Sequence, residues 1–147
     1  MRGLMVGLIV LTASCTQAPP PSIDYTNSDV VAIGKQVYTR ACASCHGVTL
    51  EGQPNWRQRD QMGYLPAPPQ DKTGHTWHHH DELLFEIVKR GVLPDDPDYR
   101  SRMPAYEGIL SDEEIWAVLA YIKSTWPEDV LEVHQEINDN AKAMMEH

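Results

Sequence analysis

Within the 147-residue chain, the stretch Ala41-Cys42-Ala43-Ser44-Cys45-His46-Gly47 sets two thiols three positions apart and an imidazole directly after the second. Two cysteines on one turn can each add across a vinyl group of a single porphyrin, and the histidine is placed to reach the iron. A Cys-x-x-Cys pair has other uses. A thioredoxin-like redox pair wants a βαβ pattern, which this chain lacks. Half of a structural zinc site wants a further Cys or His pair at suitable distance, and the remaining cysteine is Cys15. Covalent haem fits the residues best.

Iron that is to carry electrons without binding other molecules needs a second axial ligand. Three sets of residues offer one. Met103 lies in the proline-bounded loop Arg102-Met103-Pro104-Ala105-Tyr106, Met62 follows His46 by 16 residues, and His75, His78, His79 and His80 form a run before a helix. Bis-histidine ligation would lower the potential relative to histidine with methionine, because the thioether favours reduced iron. The same four imidazoles could bind copper or zinc. Successive loop residues point in different directions, however, and no suitably spaced carboxylate-cysteine-histidine set accompanies them, so an ordinary loop is expected.

Helices must position these groups. Val30, Ile33, Gly34, Val37, Tyr38 and Ala41 recur at helical spacing, with Ser28 as N-cap and Asp29 at the positive end of the dipole, which predicts a helix over about 28–42. Asp81 to Arg90 predicts a second, with Leu84, Ile87 and Val88 on one face and Gly91 closing it. Ser111-Asp112-Glu113-Glu114 is a capping box, followed by Ile115, Val118, Leu119 and Ile122; that helix must end before Pro127. No alternating run suits a sheet, so the fold class is all-α. Beyond Pro127, Val130, Val133, Ile137, Ala141 and Met144 follow roughly helical spacing among acidic residues; residues 127–147 are either a helix on the domain or a flexible acidic extension.

The N-terminus carries an address. Met1-Arg2, the apolar run Leu4 to Leu11 and the small residues before Cys15 read as an export signal over residues 1–14, too short to span a bilayer. The sequence Leu11-Thr12-Ala13-Ser14-Cys15 resembles the cleavage site of bacterial lipoproteins, although Thr12 stands where leucine is usual. Cys15 would then be a lipid anchor; an ordinary secretory signal with a cysteine near its cut is the alternative. Residues 15–27 include a proline triplet and form a tether reaching on the order of 20–40 Å. The remaining core is about 100 residues, which gains from a central staple. With 12 basic against 21 acidic residues and a formal charge of −9, the chain is no nucleic-acid binder, and its partner should present a basic patch.

Residues 29–126 resemble the small single-haem c-type cytochromes, through Gly34 with Tyr38, the CASCHG site, Met103-Pro104 and the closing helix LSDEEIWAVLAYIKS. The resemblance implies a compact all-α domain over residues 28–126, whose first and last helices cross where Gly34 permits close approach, with Tyr121 and Leu119 facing it. It implies haem c on Cys42 and Cys45, axial ligation by His46 and Met103, and a proline carbonyl on the other nitrogen of His46, for which Pro54 and Pro66 are the candidates. Trp56, Arg57 and Trp77 could contact the propionates, yet such residues are more often merely solvated or packed.

The expected function is electron transfer outside the cytoplasmic membrane, by a carrier rather than an enzyme, tethered by lipid on Cys15 and exchanging electrons with redox proteins. Two alternatives stand beside it: the haem subunit of a larger oxidoreductase, and a gas-binding or peroxidase-type protein with an open sixth position.

Overall fold

The structure is a computed structural model that describes residues 22–94, 100 and 102–145. The signal segment, Cys15 and most of the tether lie outside the described residues. Helix α1 spans Ser28–Ala41 and is capped by Asn27, one place before the expected Ser28. The Asn27 side chain accepts from the amides of Asp29 at 3.0 Å and Val30 at 3.4 Å, while Ser28 has already turned helical. The helix stops at Ala41. Cys42 is the joint to a short α2, Ala43–His46, so the attachment motif forms its own turn instead of extending α1.

Helix α3, Asp81–Arg90, has the expected bounds, and α4, Asp112–Lys123, starts at the expected cap and ends before Pro127. Gly91 closes α3 in the left-handed region at φ 70°. Ser111 and Glu114 complete both bonds of the capping box. A 3₁₀ turn at Thr76–His78 precedes α3, and no strand occurs among the described residues.

Helices α1 and α4 make the principal helix contact. A Cβ on residue 34 would lie 1.9 Å from the Ala117 carbonyl oxygen and 2.9 Å from Tyr121 Cβ, so only glycine lets the backbones come this close. Tyr121 faces the crossing as expected, and its ring meets that of Tyr38 at 5.4 Å. Leu119 does not face Gly34: the Ala117 backbone occupies that place and Leu119 turns into the interior cavity. Arg40 on α1 pairs with Glu114 at the surface, where solvent screens the attraction.

The C-terminal segment is a helix, α5, Glu128–Met145. Its buried face is not the apolar stripe expected. Val130, His134 and Asn138 point inward at intervals of one turn, while Val133 and Met144 are exposed. They meet the start of α3 at Asp81, which is itself buried. Asn138 accepts from the Asp81 amide at 2.8 Å, Lys123 Nζ lies 3.3 Å from Asp81 Oδ1, and the Ile23 amide donates to Oδ2 at 3.3 Å. A buried ion pair survives desolvation only when its remaining bonds are satisfied, and here none of the fully buried side-chain polar atoms of Asp81, Lys123, His134 and Asn138 lacks a partner.

Candidate haem site

The interior cavity measures about 380 Å³, within the range of about 300–1,000 Å³ usual for ligand sites. Its walls are apolar where the helices line it: Leu84, Ile87 and Val88 from α3, and Val118, Leu119 and Ile122 from α4. Helix α2 and its preceding joint bring Cys42, Cys45 and His46 to the same cavity, and the loop after residue 102 brings Met103, Pro104 and Tyr106. The four residues expected to hold the haem thus converge from segments nearly sixty residues apart. Gly91 makes this possible on the methionine side, since the loop carbonyl of Met103 lies where a Cβ would be.

The chemistry of the donors fits a covalently held iron porphyrin. Burial, and then the neighbouring Cys45 sulfur, push the Cys42 thiol up to about 11, which is the reverse of the depressed value that a redox-active Cys-x-x-Cys pair requires. His46 is buried, and desolvation holds it below its ordinary value against a hydrogen bond that would raise it, so the ring stays neutral, as a metal ligand must. Its Nδ1 lies 2.8 Å from the carbonyl oxygen of Pro68. Nε2 has no hydrogen-bond partner among the described residues. The proline carbonyl is therefore Pro68, not Pro54 or Pro66. The neighbouring Pro69 is packed against Gly52 and Gly74, with ideal Cβ positions only 2.4 Å and 1.9 Å from its backbone, and this clasp sets which carbonyl reaches the ring.

Tyr38 and Tyr106 brace the attachment turn. Tyr38 donates to the Gly47 carbonyl at 2.8 Å, and Tyr106 donates to the Ala41 carbonyl, so the turn is held from both ends. Burial raises both phenols above their ordinary value, keeping each a neutral donor.

Of the rival ligands, Met62 is 65% exposed, does not line the cavity, and has its thioether 3.8 Å from Arg102 Nη2. The four histidines separate into different tasks. His75 and His79 line the cavity, His75 stacked on Trp56 at 5.4 Å and meeting His79 edge-on at 5.5 Å. Burial first, and then neighbouring basic side chains, hold both below their ordinary value. His78 stacks on Trp77 at 3.8 Å, and His80 caps α3 by accepting from the Leu83 amide. Among the described residues no group of three or more His, Cys, Asp and Glu side chains could hold a metal ion. Trp56 lines the cavity, and Arg57 lies over its ring at 4.2 Å.

Gln70, Arg100 and Arg102 also line the cavity and were not legible as site residues. Nothing in local composition marks Gln70 except its place directly after Pro68-Pro69. Arg102 pairs with Asp60 at 2.6 Å and lies over the Tyr64 ring, contacts made across some forty residues.

A curated protein named nitrite reductase, from Stutzerimonas stutzeri, is 28% identical over 131 residues, covering 85% of this chain and 20% of that protein. The chain therefore spans about a fifth of that relative's length. No solved structure matches the chain. The family model described as cytochrome c matches residues 31–126, which take in the attachment turn, the methionine loop and all of α4. With that match over well more than half its length, the chain belongs to the cytochrome c family and carries covalently bound haem c.

Proposed function

We propose that this protein is a single-electron carrier in which Cys42 and Cys45 attach the haem while His46 and Met103 supply the axial ligands. The observation that carries the reading is that one cavity gathers all four side chains and excludes Met62. Haem c supplies a one-electron iron couple. The chain supplies the rest: Pro68 fixes the ring of His46, and the apolar faces of α3 and α4 limit access of water, which tunes the potential. Met103, which lines the same cavity, would as second ligand favour reduced iron and close it to outside molecules, the behaviour of a carrier and not of a gas-binding or peroxidase-type protein.

We place the carrier outside the cytoplasmic membrane, anchored by lipid on Cys15, because the attachment motif follows an export-like segment. No helix among the described residues is long and apolar enough to cross a membrane. Its acidic charge suits a partner with a basic docking patch, where attraction raises the encounter rate without a tight complex. A second reading has its own support. In the relative named nitrite reductase the matched part is joined to other sequence, so this chain could deliver electrons to a separate oxidoreductase acting on a small oxidised nitrogen compound.

Absorption spectra of the purified protein in both redox states test the site. Met103→Ala should abolish the near-infrared sulfur-to-iron band, lower the potential and admit carbon monoxide, while Met62→Ala should do none of these. The reverse pattern would overturn the ligand assignment, and a spectrum of two histidine ligands would point to His75 or His79.

A further inference from the structure

His46 has a second contact on the nitrogen that Pro68 already engages. Gln70 Nε2 lies 2.9 Å from His46 Nδ1, and Gln70 Oε1 lies 2.7 Å from Thr76 Oγ1. A ring nitrogen that gives its proton to Pro68 has no lone pair left to accept an amide N–H. Turning the amide over removes the conflict: its oxygen then shares the ring proton, and its N–H donates to the Thr76 hydroxyl, which accepts as readily as it donates.

Gln70 is itself held at both ends. Its backbone N–H donates to the Leu50 carbonyl at 2.8 Å, and its backbone carbonyl accepts from Trp126 Nε1 at 2.9 Å. The buried Trp126 ring meets the His134 ring edge-on at 5.0 Å. His134, fully buried on α5, has its Nε2 2.9 Å from the His79 carbonyl. A continuous line of bonded or touching groups thus runs from α5, beyond the family match, to the axial histidine.

We propose that Gln70 is a positioning residue that shares the His46 ring proton with Pro68, and that Trp126, backed by α5, holds it there. This rests on the haem reading above. A second acceptor makes the imidazole more basic, which favours oxidised iron and lowers the potential.

The test uses the full haem-loaded chain with Gln70→Leu, Gln70→Glu and Trp126→Phe. It reads covalent haem content, the potential by equilibrium titration, and the His46 ring N–H proton by NMR of the reduced, diamagnetic protein. Gln70→Leu should raise the potential and move the N–H resonance upfield; Gln70→Glu, a stronger acceptor, should lower the potential and move the resonance downfield. Trp126→Phe keeps the ring packing and loses the donor, so it should follow Gln70→Leu by a smaller step, with ring N–H exchange roughly tenfold faster. Shifts of the same sign in both Gln70 variants, or an N–H resonance that stays put, would overturn the proposal in favour of simple packing. Absence of covalent haem from the unaltered chain would instead remove the electron-carrier reading, so the two failures are told apart.

Discussion

Gly91 and Met103 are in direct backbone contact: a Cβ on residue 91 would lie 2.6 Å from the Met103 carbonyl oxygen and 2.8 Å from the Ala105 amide nitrogen. One residue therefore both ends α3, at φ 70°, and forms the bed of the methionine loop. Gly91→Ala should cost about 1–3 kcal/mol through the left-handed backbone and the clash, and should weaken the near-infrared thioether band below the unfolding temperature. A thermal melt followed at that band and in the far ultraviolet checks it. Coincident, unshifted transitions would contradict the coupling.

Cys42→Ala combined with Cys45→Ala should leave a chain with no haem after acid-organic extraction. The fold should be lost with it, because binding to the folded state alone contributes its whole free energy to stability, and the apolar walls around 380 Å³ would otherwise face a void. Haem retention and circular dichroism give the two answers.

Gly34→Ala weighs two effects of opposite sign. Alanine is the better helix former by about 1 kcal/mol, yet its Cβ would lie 1.9 Å from a backbone oxygen that cannot swing aside. Overpacking of this kind costs about 1–3 kcal/mol, so the net effect should be destabilising. Denaturant unfolding measures it, and a variant more stable than the parent would mean that α1 and α4 separate freely.

His134 should make stability depend on pH. Burial first, and then the Lys123 ammonium, hold its ring below the ordinary value against the pull of Asp81. The unfolded chain takes up this proton near pH 6.5 while the folded chain resists it, so stability is full above that value and falls as the pH drops towards the depressed folded value. His75 and His79 shift in the same direction. Melting temperatures between about pH 8 and about pH 5 should therefore fall towards acid, and His134→Gln should flatten part of the slope. An unchanged slope would show that folded His134 takes up its proton as readily as the unfolded chain does.

The attachment motif, the bounds of α3 and the start of α4 were legible because they are written in adjacent residues: thiols and imidazole on one turn, Gly91 after Arg90, Ser111 three places before Glu114. The start of α1 slipped by one since Asn27 and Ser28 both suit a cap, and only backbone conformation separates them. Pro66 and Pro68 look alike in a Pro-Ala-Pro-Pro stretch; the choice is made by Gly52 and Gly74 closing on Pro69. The inner face of α5 escaped notice for another reason. Periodicity counts apolar residues, and this face is carried by His134 and Asn138, whose burial depends on Asp81, Lys123 and Ile23 far along the chain.

Asp81 is 58 residues from Ile23 and 57 from Asn138, and it bonds to both. Its carboxylate, which accepts from the Ile23 amide and from Asn138 Nδ2, thus fastens two loops of nearly equal length, and the entropy of closing each is similar. Their order is not. A chain that emerges N-terminus first brings out the first pair with α3, whereas the second is complete only when the last helix has emerged. Cys42, Cys45 and His46 have all emerged before that point. The attachment turn therefore precedes α5 in the order of emergence, and α5 is the last element to reach the Asp81 end.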